Sequence, residues 1–446
     1  MFDRILIANR GEIAARIART CKRLGIHSVA IFSEADRGAP HTLIADEAHC
    51  VGPAHVLESY LNVERILEVV KDSGAQAIHP GYGLLSENTS FVARVEAAGV
   101  SFIGPSSEAI RLMGDKAQAR AFATSVGVPV VPGSDGPVAD EEAALVIAEQ
   151  LGYPVLVKAS AGGGGIGMNL ATDEKGLKKA IKQSQRRAES AFGNAEFYLE
   201  RFVSKPRHIE VQVFGDAHGN VVHLFERECS IQRRHQKVIE ETPSVAMGIH
   251  PGLRERMTEA AVRLTRAANY KNAGTIEFIV DDQGNFYFIE MNTRLQVEHT
   301  ITEMITGTDL VEWQLRVAAG QALPLSQDEI TMRGHAIQCR IYAENPAKMF
   351  MPAPGTIGDY VEPHGEGVRV DSGVQANWEV TPFYDPLVAK VVTHGESRTQ
   401  AAERMRDALQ SYRIDGLTTN KEMHLDVLAD EDFLAGRFHT GWLEHR

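Results

Sequence analysis

EMNTRLQVEH, residues 290–299, places two carboxylates, two amides, a guanidinium and an imidazole at the end of an apolar strand, which is a poor recipe for a core. Immediately upstream, the β-rich runs Thr275 to Val280 and Phe286 to Glu290 flank Asp282-Gln283-Gly284-Asn285, so the segment reads as a hairpin with a Gln-Gly tip. In that register Glu277 faces Glu290, Ile279 pairs with Phe288, and Asn292 falls on the face of Glu290. Like charges directly opposed across a ladder are destabilising and call for compensation. Oxygen donors of this kind suit Mg²⁺ or Mn²⁺ rather than zinc, which points to phosphate chemistry. The competing reading turns one glutamate to solvent and pairs the other with an arginine.

Bulk properties narrow the field. A chain of 446 residues, 43% of them apolar, makes roughly three domains with a substantial core. A formal net charge of −13 argues against a nucleic-acid partner, so an anionic ligand must meet a local basic cluster. Cys21, Cys50, Cys229 and Cys339 form no CxxC pair, suggesting neither a zinc site nor a disulfide framework. No segment reaches membrane-spanning length and nothing directs export, so the expectation is a reducing cytoplasm without membrane association.

From Arg4 to about Met113, β-branched runs (Ile5 to Ala8, Ser28 to Phe32, Gln76 to His79, Val100 to Ile103) alternate with helical stretches at Glu12 to Leu24 and Asn62 to Lys71. That alternation predicts a parallel sheet with helices on both faces and functional loops at the carboxyl ends of its strands, where Asn9 to Glu12 and His79 to Gly83 lie. The first βα turn, NRGEIA, lacks G-x-G-x-x-G, which argues against a dehydrogenase. Pro and Gly residues from Gly127 to Pro137 mark a boundary. A small inserted domain follows, with a helix near Asp140 to Leu151, a strand Pro154 to Lys158, a long polar helix from about Asp173 to Phe192 and a strand Phe197 to Glu200. Longer strands then return at Arg207 to Phe214 and Val221 to Glu228, followed by the acidic hairpin, a helix near Leu310 to Ala319, the strand His335 to Tyr342 and a helix from Thr399 to Ser411.

Three further features carry chemistry. Ala161 to Gly167 (AGGGGIG) follows the strand bearing Lys158 and can wrap backbone N–H groups around phosphate oxygens; a flexible connector is the alternative, and no Walker Gly-Lys-Ser/Thr follows. Cys229 to Lys237 (CSIQRRHQK) is the densest basic cluster in an acidic chain and interleaves Gln232 and His235 with cations, as an anion pocket requires; a solvated charged face competes. Arg340 sits in a mostly apolar strand, where a buried guanidinium needs a partner, and a structural salt bridge competes with a functional role.

In order along the chain, IANRGEIA (Ile7 to Ala14), HPGYGLLSEN (His79 to Asn88), MGDK (Met113 to Lys116), KASAGGGGIGM (Lys158 to Met168), ERECSIQRRHQKVIEE (Glu226 to Glu241) and EMNTRLQVEH resemble the biotin carboxylase component of biotin-dependent carboxylases, a branch of the ATP-grasp superfamily. The match runs from Ile5 to about Leu443. The resemblance implies a mixed α/β and α+β chain: a Rossmann-like domain over residues 1–113, an ATP-grasp region over 114–330 with a lid at about 131–203, and a β-rich carboxy-terminal domain over 331–446. It implies that Lys116, Lys158, His208 and the Glu200 to Val203 segment contact ATP, with Gly163, Gly164, Gly165 and Gly167 over the phosphates and Gln232, His235 and Lys237 near the phosphates and bicarbonate. Glu277, Glu290 and Asn292 are similar to the Mg²⁺ (or Mn²⁺) ligands, and Glu277 and Glu290 also border the nucleotide. Arg294, Gln296 and Val297 resemble the bicarbonate cradle, Glu298 the base and Arg340 the residue that steadies the biotin ureido oxygen, with Tyr82 and Gly83 close by.

The implied reaction is carboxylation of biotin N1 through carboxyphosphate, with ATP and Mg²⁺. No Ala-Met-Lys-Met attachment site occurs, so a biotin carboxyl carrier protein or domain and a carboxyltransferase are expected as partners, on other chains or in regions outside this one, with a homodimer and an acyl-CoA or pyruvate-type acceptor implied by the resemblance. Two positions depart from the family: Ile166 stands where a cation is usual in the glycine loop, and Thr300 where proline is common. For Glu298 the competing reading is a surface ion pair with Arg294. Another ATP-grasp ligase and a catalytically silent nucleotide-binding regulator remain the alternatives.

Overall fold

The computed structural model describes residues 1–134, 136–159, 169–192 and 196–445. The glycine run, with Gly163, Gly164, Gly165, Ile166 and Gly167, lies outside the described residues.

The amino-terminal βα alternation folds as its pattern dictates. Strands β1 (Arg4–Ile7), β2 (His27–Ser33), β3 (Glu47–Gly52), β4 (Ala77–His79) and β5 (Ser101–Phe102) form a wholly parallel sheet ordered β3-β2-β1-β4-β5. Helix α1 (Gly11–Leu24) buries Ile13, Ala14, Ile17, Ala18 and Cys21 and ends on Gly25, whose φ of 71° suits a left-handed cap. The order turns back at β1, so the loops after β1 and β4 lie side by side, and Asn9 donates to the carbonyls of Pro80 and Tyr82.

The inserted segment forms a small antiparallel sheet of β6 (Val155–Ala159), β7 (Asn169–Ala171) and β8 (Phe197–Arg201), ordered β7-β6-β8 and covered by α2 (Glu174–Phe192). Its own apolar cluster includes Val155, Val157, Leu177, Ile181 and Leu199.

An eight-stranded antiparallel sheet fills the centre. It is built from β9 (Arg207–Gly215), β10 (Val221–Arg233), β11 (Gln236–Thr242), β12 (Asn272–Val280), β13 (Phe286–Asn292), β14 (His335–Tyr342), β15 (Val368–Ser372) and β16 (Leu387–Gly395), in the order β13-β12-β9-β10-β11-β14-β16-β15. The strands after residue 331 therefore continue this sheet, packed beneath a helix at Arg398–Ser411. No described helix is long and apolar enough to cross a membrane.

Three expectations need correction. The acidic hairpin pairs Glu277 with Glu290, but a bulge shifts the register beyond it, so Ile279 faces Tyr287 and Phe278 faces Phe288. The extra residue, Ile289, is exposed, and the slip keeps Phe286 and Phe288 in the core. The basic run Cys229 to Lys237 does not follow a strand. It is itself the end of β10, a tight turn at Arg234 and His235 (φ 50° and 64°), and the start of β11. Strand β3 was not anticipated, because EAHCVG is a half-buried sheet edge with little apolar signal.

Candidate active site

Three strands place acidic side chains in one row. Glu277 on β12 stands opposite Glu290 on one flank and opposite Glu210 of β9 on the other, and Glu210 faces Arg227 of β10. Opposed glutamates in a dry sheet demand cations. Lys237 supplies the first, its ammonium donating to Glu210 at 2.6 Å, Glu277 at 2.8 Å and Glu298 at 2.7 Å. Arg227 supplies the second. This fully buried guanidinium donates to Glu210 (2.5 Å), Gln212 and Gln296 (both 2.8 Å), Thr302 (3.0 Å) and Thr275 (3.1 Å). Arg340 supplies the third, bound to Glu240 at 2.5 Å and Glu298 at 3.0 Å, and His208 lies 3.3 Å from Glu277.

These contacts set the ionisation. Burial drives the Glu277 carboxyl up, but Lys237 and His208 more than offset it and hold it well below the usual range. Burial pulls the His208 imidazole down, and Glu277 beside it reverses that and lifts it to about 9. Glu298 also resists its burial: Lys237 and Arg340 keep it below an ordinary glutamate despite the proximity of Glu210. Glu240, on the other side of Arg340, is pushed up because burial outweighs the guanidinium. Two carboxyls on one arginine are thus pushed apart, with Glu298 the one kept ionised and able to accept a proton.

The residues singled out in the sequence fall into several neighbourhoods. Arg294, Val297, Arg340, Tyr82 and Gly83 line one cavity of about 460 Å³. Gln296 donates to Glu277 at 2.9 Å, as does Asn292, whose amide oxygen accepts from Arg294 at 2.9 Å. Between β6 and β8 Lys158 is ion-paired with Glu200, and just beyond β8 Val203 packs with Val131 and Tyr287. Lys116, largely exposed, lies 3.5 Å from Glu290. Gln232 is buried against His208 at 3.2 Å. His235 stays at the exposed tip of the β10–β11 turn, apart from the buried cluster.

The competing readings for Glu298 and Arg294 fail. Glu298 is 2% exposed and bound to Lys237 and Arg340, while Arg294 turns to Glu87 at 2.8 Å. Arg340 does form buried ion pairs, and one of its partners is Glu298 itself.

Among the described residues, two groups have metal-ligand spacing: His208, Glu210 and Glu277, and Glu210, Cys229 and Glu298. Lys237 already bridges both groups, and burial pushes the Cys229 thiol far up, so neither reads as a resident metal centre. Glu277 and Glu290, opposed across the ladder, offer hard carboxylate oxygens, and Asn292 adds an amide oxygen, now accepting from Arg294, once its amide turns over; such donors fit Mg²⁺ or Mn²⁺.

Sequence reasoning missed Glu210, Arg227 and Glu240. A signal for Glu210 was present: His208, Glu210 and Gln212 alternate with Ile209, Val211 and Val213, which puts a polar face on an otherwise apolar strand.

Known proteins match this chain along nearly its whole length. Family models match residues 1–110 (biotin carboxylase, N-terminal domain), 115–326 (carbamoyl-phosphate synthase L chain, ATP binding domain) and 338–445 (biotin carboxylase C-terminal domain). A biotin carboxylase of Halalkalibacterium halodurans is 53% identical over 443 residues, covering 99% of this chain and 97% of the relative. The biotin carboxylase domain dimer of Hydrogenobacter thermophilus 2-oxoglutarate carboxylase, in complex with MgADP, ADP and bicarbonate, superposes with a TM-score of 0.91 at 48% identity, covering 100% of this chain and 98% of that one. The Campylobacter jejuni biotin carboxylase–β,γ-ATP complex gives 0.93 at 46% identity, with coverage of 100% and 99%.

Proposed function

The chain belongs to the biotin carboxylase family, and from that premise we propose how its residues divide the work of the reaction. The protein is an ATP-dependent ligase that carboxylates biotin with bicarbonate, using ATP and Mg²⁺. Bicarbonate is a poor electrophile and the ureido nitrogen a poor nucleophile, so each needs activation. Glu298, kept ionised, takes the proton of bicarbonate, whose oxygen then attacks the γ-phosphorus as ADP leaves. Lys237 disperses the negative charge that develops beside it, and Arg294 with Gln296 and Val297 cradles the bicarbonate. Glu277, Glu290 and Asn292 would hold Mg²⁺, which when bound neutralises phosphate charge as a Lewis acid. The carboxyphosphate formed splits into CO₂ and phosphate; phosphate removes the N1 proton of biotin, and Arg340 steadies the ureido oxygen while N1 attacks CO₂.

Lys116, Lys158, His208 and the Glu200 to Val203 segment contact the nucleotide, with Gln232 and His235 toward its phosphates. The biotin arrives on a biotin carboxyl carrier protein or domain, a carboxyltransferase takes the carboxyl group onward, and the chain pairs with a second copy. Support for the dimer comes from the Hydrogenobacter thermophilus protein. A division into residues 1–113, 114–330 and 331–446, with a lid at about 131–203, is supported by the three family models and by the separate core of the lid sheet.

The observation that carries this reading is the position of Glu298: buried, held between Lys237 and Arg340, and next in the chain to Val297, which lines a cavity with Tyr82, Arg294 and Arg340. The test is ADP release with Mg²⁺, adding or withholding bicarbonate and free biotin, beside Glu298→Gln. Release that needs bicarbonate, rises with biotin and collapses in the variant is expected. Release independent of bicarbonate would overturn the roles given to Arg294 and Glu298.

A further inference from the structure

Lys390 is completely buried and carries no role in the reaction as described so far. It projects from β16, in the last part of the chain, and its ammonium gathers three distant segments. It donates to the backbone carbonyl of Val297 at 3.0 Å, and it lies 3.1 Å from Glu12 on α1 and 3.9 Å from Asp371 on β15. The Val297 carbonyl belongs to the peptide that joins Val297 to Glu298, so Lys390 grips the backbone from which the base hangs. A neutral carbonyl does not offset the cost of burying an ammonium; Glu12 and Asp371 supply the opposing charge.

Glu12 has a second attachment. Tyr82, which lines the cavity with Arg340, donates its hydroxyl to Glu12 Oε1, the same oxygen that faces Lys390. The other oxygen, Oε2, is buried without a hydrogen-bond partner among the described residues. One carboxylate oxygen is therefore shared between a residue of the cavity wall and the ammonium that holds the Glu298 loop, and Lys390 Nζ sits 5.9 Å from the centre of the Tyr82 ring. Any shift of Tyr82 redistributes that oxygen between its two donors.

We propose that Lys390 is a positioning residue for Glu298, and that Glu12 and Tyr82 tie it to the cavity, so that a ureido group seated against Tyr82 and Arg340 adjusts the base that starts the reaction. The inference rests on the biotin carboxylase reading of that cavity. It makes biotin occupancy and bicarbonate activation one coupled event, carried by four named groups from three regions of the chain.

A plain strut between segments is the rival explanation, and two variants separate them. Glu12→Gln keeps the shape and removes the charge. The amide oxygen can still accept from Tyr82, and Asp371 remains 3.9 Å from Lys390 to oppose its charge. ADP release is measured at saturating MgATP with bicarbonate, with and without free biotin. Glu12→Gln is expected to keep its MgATP KM and its biotin-free rate within about twofold of wild type while losing the rise caused by biotin. Lys390→Met is expected to lower the bicarbonate-dependent kcat about 10²-fold with the MgATP KM again within about twofold, the pattern of a misplaced base rather than lost binding. Full biotin stimulation in Glu12→Gln overturns the proposal, as does an equal loss of rate with and without biotin. If Lys390→Met does not fold, Glu12→Gln decides alone. A wild type that ignores bicarbonate refutes the assigned function, whereas one that needs bicarbonate but ignores biotin refutes only the coupling.

Discussion

Replacing Lys237 by methionine keeps much of the side chain's bulk and deletes the ammonium shared by Glu210, Glu277 and Glu298. The lost contacts are 2.6, 2.8 and 2.7 Å long. In the native protein Lys237, Arg227, Arg340 and His208 face Glu210, Glu277 and Glu298, and the variant removes the one cation that all three carboxylates share. Removing one partner of a buried ion pair costs about 3–5 kcal/mol, and the lower end applies here because Glu210 keeps Arg227 and Glu298 keeps Arg340. Loss of a charge aimed at the phosphoryl transfer lowers turnover by about 10²–10³-fold. Thermal unfolding with and without Mg²⁺, together with bicarbonate-dependent ADP release at saturating MgATP, measures both effects. Mg²⁺ is expected to raise the unfolding midpoint of the variant more than that of wild type, since it meets an uncompensated carboxylate. Turnover within about threefold of wild type would refute the placement of Lys237 beside the reacting groups.

Two further substitutions test the surroundings. Arg227→Lys cannot reach all five acceptors of the guanidinium, and each buried acceptor left unpaired costs about 1–3 kcal/mol. The variant is expected to unfold well below wild type and to show a raised KM for bicarbonate, because Gln296 loses the donor that fixes its amide; an unchanged KM counts against that role. Glu241 tests pH dependence away from the site. Burial raises its carboxyl, but Arg398 and His335 more than offset this and bring it to about 2 from an ordinary 4.5. A depressed folded value contributes stability that is complete above the unfolded value and is lost as pH falls toward the folded one. The unfolding difference between wild type and Glu241→Gln should therefore be flat from pH 7 to about 5 and then shrink, by up to about 1.4 kcal/mol per pH unit below 4.5. A difference that persists unchanged to pH 3 refutes the assignment.

What the sequence disclosed and what it hid divide along the range of the forces involved. The βα alternation, the acidic hairpin and the pairing of Glu277 with Glu290 were legible because each is set by residues within a few positions of one another. The bulge after Glu277 was not, since only packing of Phe286 and Phe288 into the core selects it over regular pairing. Nor was the turn at Arg234 and His235, where two non-glycine residues adopt positive φ without the Asn-Gly signature of a hairpin. The site itself shows the same limit more sharply. Glu298 looked like a surface partner of Arg294 because the two are neighbours in sequence. Its actual partners, Lys237 and Arg340, lie 61 and 42 residues away. A carboxylate four residues along a polar loop has an ordinary pKa by default; only a sheet that brings β10, β11 and β14 beneath that loop makes it buried and still ionised. Charge type at a position is local information, whereas charge compensation is tertiary. For that reason candidate oxygen ligands could be picked out from the chain, while Glu210, Arg227, Glu240 and Lys390, buried and paired with residues distant in sequence, could be found only once the strands were in place.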